Sequence, residues 1–171
     1  MTTATEEIIE QTVEGEVIFF MPPPPLHQRV LAFVTKVVAL YVKIFNLGEI
    51  LFAPLEMRIH TGGAAREPDL LFLSHKNMGR IDNRRVNGPA DLVVEIVSTE
   101  SVSWDRGDKF YEYQEGGAPE YWIIDPRPGE ERVDICTLIE QNRYQAILPD
   151  ADRRYHFMAL PGFWFREEMV P

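Results

Sequence analysis

Hydrophobic and polar positions change their period along the chain, and the period assigns the elements. From Leu26 to Phe45 the apolar residues fall at 26, 30, 33, 34, 37, 38, 41, 44 and 45, the spacing of one helical face, and Asn46-Leu47-Gly48 supplies a stop. This predicts the longest helix. Pro22 to Pro25 hold the backbone extended ahead of it as a spacer. Residues 1 to 12 read as a short acidic helix, and Val13 to Phe20 as extended chain broken by a turn at Glu14-Gly15-Glu16. Glu49 to Phe52 predicts a short strand. Leu55, Met57 and Ile59 then alternate with Glu56, Arg58 and His60 as a half-buried strand does, and Thr61-Gly62-Gly63 would turn it into the following strand as an antiparallel hairpin.

Two continuous apolar runs come next, Leu70-Leu71-Phe72-Leu73 after Glu67-Pro68-Asp69, and Leu92-Val93-Val94 with Ile96-Val97 around Glu95. Their length and composition are those of buried strands. Trp104 to Glu115 predicts a helix that Ser103 caps and Gly116-Gly117 ends, and Glu120 to Ile124 a strand ending at Asp125-Pro126. A helix joining two strands is the pattern of a right-handed crossover with parallel pairing. Arg132 to Ile139 and Tyr144 to Leu148 read as a second hairpin extending the sheet. The fold class that follows is α/β, a mixed β-sheet flanked by helices. Phe157, Leu160, Phe163, Trp164 and Phe165 cluster near the end without interleaved cations, so they read as core or oligomer packing rather than a base-stacking platform.

Composition narrows the function. A chain of 171 residues, 45% hydrophobic, buries one sizeable core, which predicts a single domain over residues 1–171. Lys and Arg total 17 against 27 Asp and Glu, a formal charge of −10, which counts against tight, nonspecific binding of duplex DNA. The segment from Ser74 to Val86 runs the other way, with Lys76, Arg80, Arg84 and Arg85 against Asp82. These are candidate phosphate contacts, and a solvated loop is an equal reading. The lone Cys136 excludes an intramolecular disulfide or a cysteine-based zinc cluster and reads as a small apolar strand residue. No run reaches the roughly 18 apolar residues of a membrane span and no leader pattern opens the chain, so a cytoplasmic protein without a membrane partner is expected.

The candidate chemistry lies in the two apolar runs. A carboxylate among Val93, Val94, Ile96 and Val97 costs several kcal/mol unless it is compensated. A divalent cation shared with Asp69 would compensate Glu95. Magnesium favours one or two carboxylates and fills its other positions with water, backbone oxygen and phosphate, and Asp69, Glu95 and the Ile96 carbonyl fit that count. Asp91 shares the face of Glu95 but lies about 13 Å away along the strand, too far for the same ion. Lys109 would neutralise charge on a bound phosphate, with Tyr113 as its i+4 neighbour. His27, in the first turn of the long helix, reads first as a structural histidine bracing the proline segment.

Pro68-Asp69, Gly88 to Ser98, Asp105-Arg106-Gly107-Asp108-Lys109, Tyr113 and Pro119 to Pro126, in this order, resemble the Uma-type family of restriction endonucleases in the PD-(D/E)xK nuclease superfamily. Weaker matches at Gly15-Glu16 and His27-Gln28-Arg29 extend the resemblance over nearly the whole chain. It implies a restriction-endonuclease-like fold, magnesium-dependent hydrolysis of nucleic-acid phosphodiesters with manganese as a substitute, and Asp69 and Glu95 as the metal ligands. DNA is the expected nucleic acid. His27 and Tyr113 are auxiliary candidates. The chain departs from the superfamily at Val97, which stands where the lysine does, so that role passes to Lys109 on the next helix. It departs again at Gln11, where relatives carry an acidic residue.

Bland alternatives stand beside these readings. Asp69 could satisfy backbone amides at a strand end, Lys109 could form a surface i, i+4 pair with Asp105, and Glu95 with Lys109 could be a structural ion pair. On that footing the same fold serves as an inactive binding or oligomerisation module. Double-strand cleavage would call for two sites and hence a homodimer, with the terminal aromatics as its candidate interface. No Walker-type glycine loop, Gly-x-Ser-x-Gly elbow or paired histidines at metal-ligand spacing occur, and Ser98 has no neighbouring histidine to activate it.

Overall fold

The structure, a computed structural model, describes the backbone of residues 9–13 and 16–20 and the backbone and side chains of residues 23–60 and 65–171. Strands β1 (Ile9–Val13) and β2 (Glu16–Phe20) open it as an antiparallel hairpin with Val13 opposite Glu16. The acidic helix expected over residues 1 to 12 is thus a strand from Ile9 onward, where β-branched Ile9, Thr12 and Val13 find a partner strand. Residues 1–8 and the turn positions Glu14 and Gly15 lie outside the described residues, as does the Thr61-Gly62-Gly63 turn.

Helix α1 (Pro25–Ile44) is the longest helix, as the spacing predicts, and buries His27, Val30, Val34, Val38 and Val42 along one stripe. Pro24 is extended ahead of it, and Asn46, at φ 50°, ends it in the left-handed region. There follow β3 (Gly48–Phe52), β4 (Glu56–Arg58), β5 (Ala65–Arg66), β6 (Leu70–Ser74), β7 (Arg85–Asn87) and β8 (Leu92–Ile96). A π-helical turn, Trp104–Asp108, runs into α2 (Lys109–Glu115) and then β9 (Glu120–Asp125). Strands β10 (Arg132–Ile139), β11 (Arg143–Ala146), β12 (Tyr155–His156) and β13 (Trp164–Phe165) complete the chain.

The main sheet has the order β11-β10-β9-β8-β6-β3, and β8 with β9 is its parallel pair, joined through α2 as the strand-helix-strand pattern predicts. The predicted hairpin of β10 and β11 extends it beyond β9. One expectation is corrected. The alternating strand before Thr61 does not pair with the Asp69 strand; β4 joins β5 and β7 in a separate small sheet, and β6 pairs with β3 instead. Met57 and Ile59 are buried on α2's side of the sheet, so β4 covers the sheet rather than extending it.

Side chains alternate across the central strands, so two cores form on opposite faces. Leu70, Phe72, Leu92, Val94, Ile96 and Trp122 face α1 and the C-terminal aromatics. Leu71, Leu73, Val93, Val97, Tyr121 and Ile123 face α2 and the small sheet. Phe157, Phe163 and Phe165 pack around Trp122 in the first core, so most of the terminal cluster is intramolecular packing, with Trp164 of the same cluster exposed. Glu120, wholly buried, ties this segment down by accepting from the Trp122 indole at 2.7 Å and from the amides of Met158 and Ala159 at 2.7 and 3.1 Å. Cys136 is buried in β10, and burial pushes its thiol up to about 11. Among the described residues no helix is long and apolar enough to cross a membrane.

Candidate active site

The antiparallel β6–β8 pair sets Leu70 opposite Val94, and one further step of the same register sets Asp69 opposite Glu95. Pro68 cannot donate to a ladder, so the strand begins just after it and leaves Asp69 at its mouth, as the Pro-Asp pair predicts. Asp69 Oδ2 accepts from the Ile96 amide at 2.7 Å and lies 3.2 Å from His27 Nε2. The first turn of α1 therefore reaches the site. His27, read from the sequence as a brace for the proline segment, pairs with Asp69 instead.

Glu95 is 3% exposed. Its Oε2 lies 2.9 Å from Lys109 Nζ, and its Oε1 accepts from the Tyr113 hydroxyl at 2.7 Å. Lys109 and Tyr113 are i and i+4 on α2, so one helical face delivers both groups to one carboxylate. The same ammonium is 2.7 Å from Asp105 Oδ1, whose residue is 1% exposed, and Asp105 Oδ2 has no hydrogen-bond donor among the described residues. The i, i+4 pair of Asp105 and Lys109 is real, but it is buried rather than a surface pair. The helix begins before Ser103, which has helical dihedrals and makes no side-chain cap bond. Ser98 and Ser101 supply the turn instead, with the Ser98 amide donating to Ser101 Oγ at 2.9 Å.

An open cavity of about 170 Å³ unites these groups, bordered by His27, Asp69, Glu95, Ile96, Asp105 and Lys109. Glu67 and Glu100 also border it, so five carboxylates share the cavity with one ammonium and one imidazole, which leaves a negative excess even when His27 is protonated. Burial lifts Glu95 to about 7, with the charges of Asp69 and Asp105 acting the same way and Lys109 opposing them. Burial pulls Lys109 down, but Glu95 and Asp105 outweigh it and its pKa is raised. His27 is likewise raised, because the hydrogen bond to Asp69 overcomes its burial. Tyr113 is raised well above 10 by burial and by Glu95, so its hydroxyl stays a donor.

The basic segment does not join this cluster. Lys76 follows Ser74 at the far end of β6 from Asp69, roughly 16 Å along the strand. Arg80 donates to the Pro89 carbonyl, and Arg85 pairs with Glu56 at 2.5 Å. Arg84 is exposed, its amide donating to Asp82 Oδ1 at 2.7 Å. Arg80 and Arg85 thus hold the loop against Pro89 and β4, while the side chains of Lys76 and Arg84 are exposed. Asp91 accepts from the Ser74 amide and from Asn77, away from the site as its strand position predicts. Sequence reasoning missed the depth of Asp105; its i, i+4 relation to Lys109 was the available signal.

A family model described as "Putative restriction endonuclease", Uma2, matches residues 2–168. Among solved structures, a putative nuclease belonging to DUF820 from Anabaena variabilis matches with a TM-score of 0.69 at 17% identity, over 94% of this chain and 88% of that one. No curated protein matches the chain.

Proposed function

The chain belongs to the Uma2 family, and from that premise we propose that it is a divalent-cation-dependent endonuclease whose lysine sits on the helix after the second carboxylate strand. The observation that carries this reading is the meeting of Asp69, Glu95 and Lys109 in one cavity, from two paired strands and a helix.

The donor set fits magnesium by its chemistry. Asp69 and Glu95 are hard oxygen donors, the cavity carries excess negative charge, and a buried Asp105 oxygen lacks a donor. Among the described residues no three His, Cys, Asp or Glu side chains form a ready cage. Magnesium needs none, since one or two carboxylates suffice and water and phosphate complete its shell. Asp69, Glu95 and the Ile96 carbonyl would hold it, and manganese would substitute. Bound there, the cation supplies Lewis-acid activation and charge neutralisation at the scissile phosphate.

The chain's own groups then divide the work. Lys109 offers a fixed positive charge to the phosphate as negative charge develops on it. Asp105 holds that ammonium in place when Glu95 turns to a cation. Tyr113 orients the Glu95 carboxylate through its hydroxyl, and His27 orients Asp69. The substrate is nucleic acid, with DNA the expected form, cleaved in the cytoplasm by a protein that pairs into a homodimer if both strands are cut.

A second reading has its own support. Glu95 already has Lys109 and Tyr113 as partners, as a structural ion pair inside an inactive binding module would. Manganese titration calorimetry on chelator-stripped protein separates the two. Binding that disappears in Glu95→Ala, with circular dichroism unchanged, together with cleavage of nucleic acid by the wild type, is the expected result. Neither binding nor cleavage with magnesium or manganese would leave the structural pair.

A further inference from the structure

Trp104 precedes Asp105 on the π-helical turn and is 49% exposed. Its chain neighbour lines the cavity, and so does Glu67, the neighbour of Arg66. Arg66 in turn lies over the Trp104 indole, its guanidinium carbon 5.8 Å from the ring centroid. That guanidinium is fixed from behind by Glu112 through two hydrogen bonds of 2.6 Å. A half-exposed indole and a pinned guanidinium thus stand together on the two segments whose next residues, Asp105 and Glu67, line the cavity.

Charge decides what such a pair can receive. Glu67 and Glu100 add carboxylates to the cavity lining, and the cations on the same wall are engaged: Lys109 by Glu95 and Asp105, Arg66 by Glu112, Arg106 by Asp134 and Asp125. Duplex binding rests on neutralising a row of phosphates, which this wall is poorly equipped to do. Base stacking needs an exposed aromatic face and a cation beside it, and is tolerant of sequence. Only an unpaired base presents its face to such a platform.

We propose that Trp104, with Arg66 over it, stacks an unpaired nucleobase and that the strand entering the cavity is single-stranded nucleic acid. This rests on the nuclease reading above and names its substrate class. Trp104 and Arg66 act as positioning residues, holding the strand so that a neighbouring phosphate reaches Lys109. Trp122 is wholly buried, and Trp164, 39% exposed, lies in the C-terminal segment under Arg154. Neither competes for the role.

The test is binding of short oligo(dT), oligo(U) and a duplex of equal length in chelator, followed by labelled-oligonucleotide anisotropy and by tryptophan quenching. Wild type and Trp164→Phe should bind single strands more tightly than duplex and show quenching. Trp104→Ala should weaken single-strand binding about tenfold or more, with Trp104→Phe retaining most of it. The order of oligo(dT) and oligo(U) reports the 2′-hydroxyl and the base methyl together, and either order supports the platform. Unchanged affinity in Trp104→Ala, tighter binding of duplex, or no single-strand binding by the wild type would each overturn it. Should Trp104→Ala fail to fold, Trp104→Leu removes the ring with less loss of bulk and carries the same comparison. Cleavage by the wild type in manganese is scored separately. Binding that depends on Trp104 without any cleavage would sink the nuclease reading and leave the platform standing, whereas cleavage with Trp104→Ala binding unchanged would do the reverse.

Discussion

Glu95 gives this protein an unusual pH dependence in the absence of metal. Its carboxyl is raised from an ordinary 4.5 to about 7, chiefly by burial. In that window the folded chain holds a proton that the unfolded chain has released. The contribution to stability is therefore fully present below pH 4.5, declines as pH rises, and is lost above about 7. At 1.36 kcal/mol per pH unit the loss is about 3 kcal/mol across the window. Glu95→Gln keeps the shape and can still accept from Tyr113, but it cannot titrate. In chelator, urea unfolding from pH 4.5 to 8 should show wild-type stability falling by about 3 kcal/mol relative to Glu95→Gln, a relative midpoint shift of about 1 M or more. Saturating manganese should flatten the wild-type curve, since a cation favours the charged carboxylate. Parallel curves in chelator, or a difference of opposite slope, would refute the reasoning and mean that Lys109 keeps Glu95 fully ionised throughout.

Glu120→Ala strips the acceptor from the Trp122 indole and two amides, and urea unfolding should show a loss of about 2 to 4 kcal/mol; a loss within about 0.5 kcal/mol, the level of ordinary surface changes, would deny that clamp its role. Tyr113→Phe should cost about 1 kcal/mol in the same assay and move the Glu95 transition to higher pH, because a donor to the charged form is gone. Cys136, buried with its thiol at about 11, should react with a thiol reagent at pH 8 only slowly until denaturant is added. Rapid, complete reaction of the native protein would contradict that burial.

The parts of the fold with a repeating signal were legible in the sequence. The valine stripe of α1, the apolar runs of β6 and β8, and the strand-helix-strand unit around Lys109 each announce themselves by period. Glu95 was legible for a different reason, since a carboxylate inside an apolar run must have a partner. Strand pairing was less so. Two-residue β5 and three-residue β7 carry no period, so nothing in the sequence marked β4 as their partner rather than that of β6. Asp105 was hidden because an i, i+4 Asp–Lys pair looks the same on a surface as under one; only the π-helical turn and the cavity distinguish them. The cations from Lys76 to Arg85 promised phosphate contacts by composition, and tertiary pairing with Glu56 and Pro89 drew two of them elsewhere.

The two cores on opposite sheet faces meet at the cavity, where α1 sends His27, the central strands send Asp69 and Glu95, and α2 sends Lys109. The cavity is thus a junction whose alignment each layer sets independently. A volume change deep in either core can slide one helix relative to the sheet by a fraction of an ångström and detune the proposed chemistry while every residue at the junction stays the same. Loss of activity through drift in such a chain would leave no signature at the site, and restoring it would be a matter of repacking valines and aromatics far from any carboxylate.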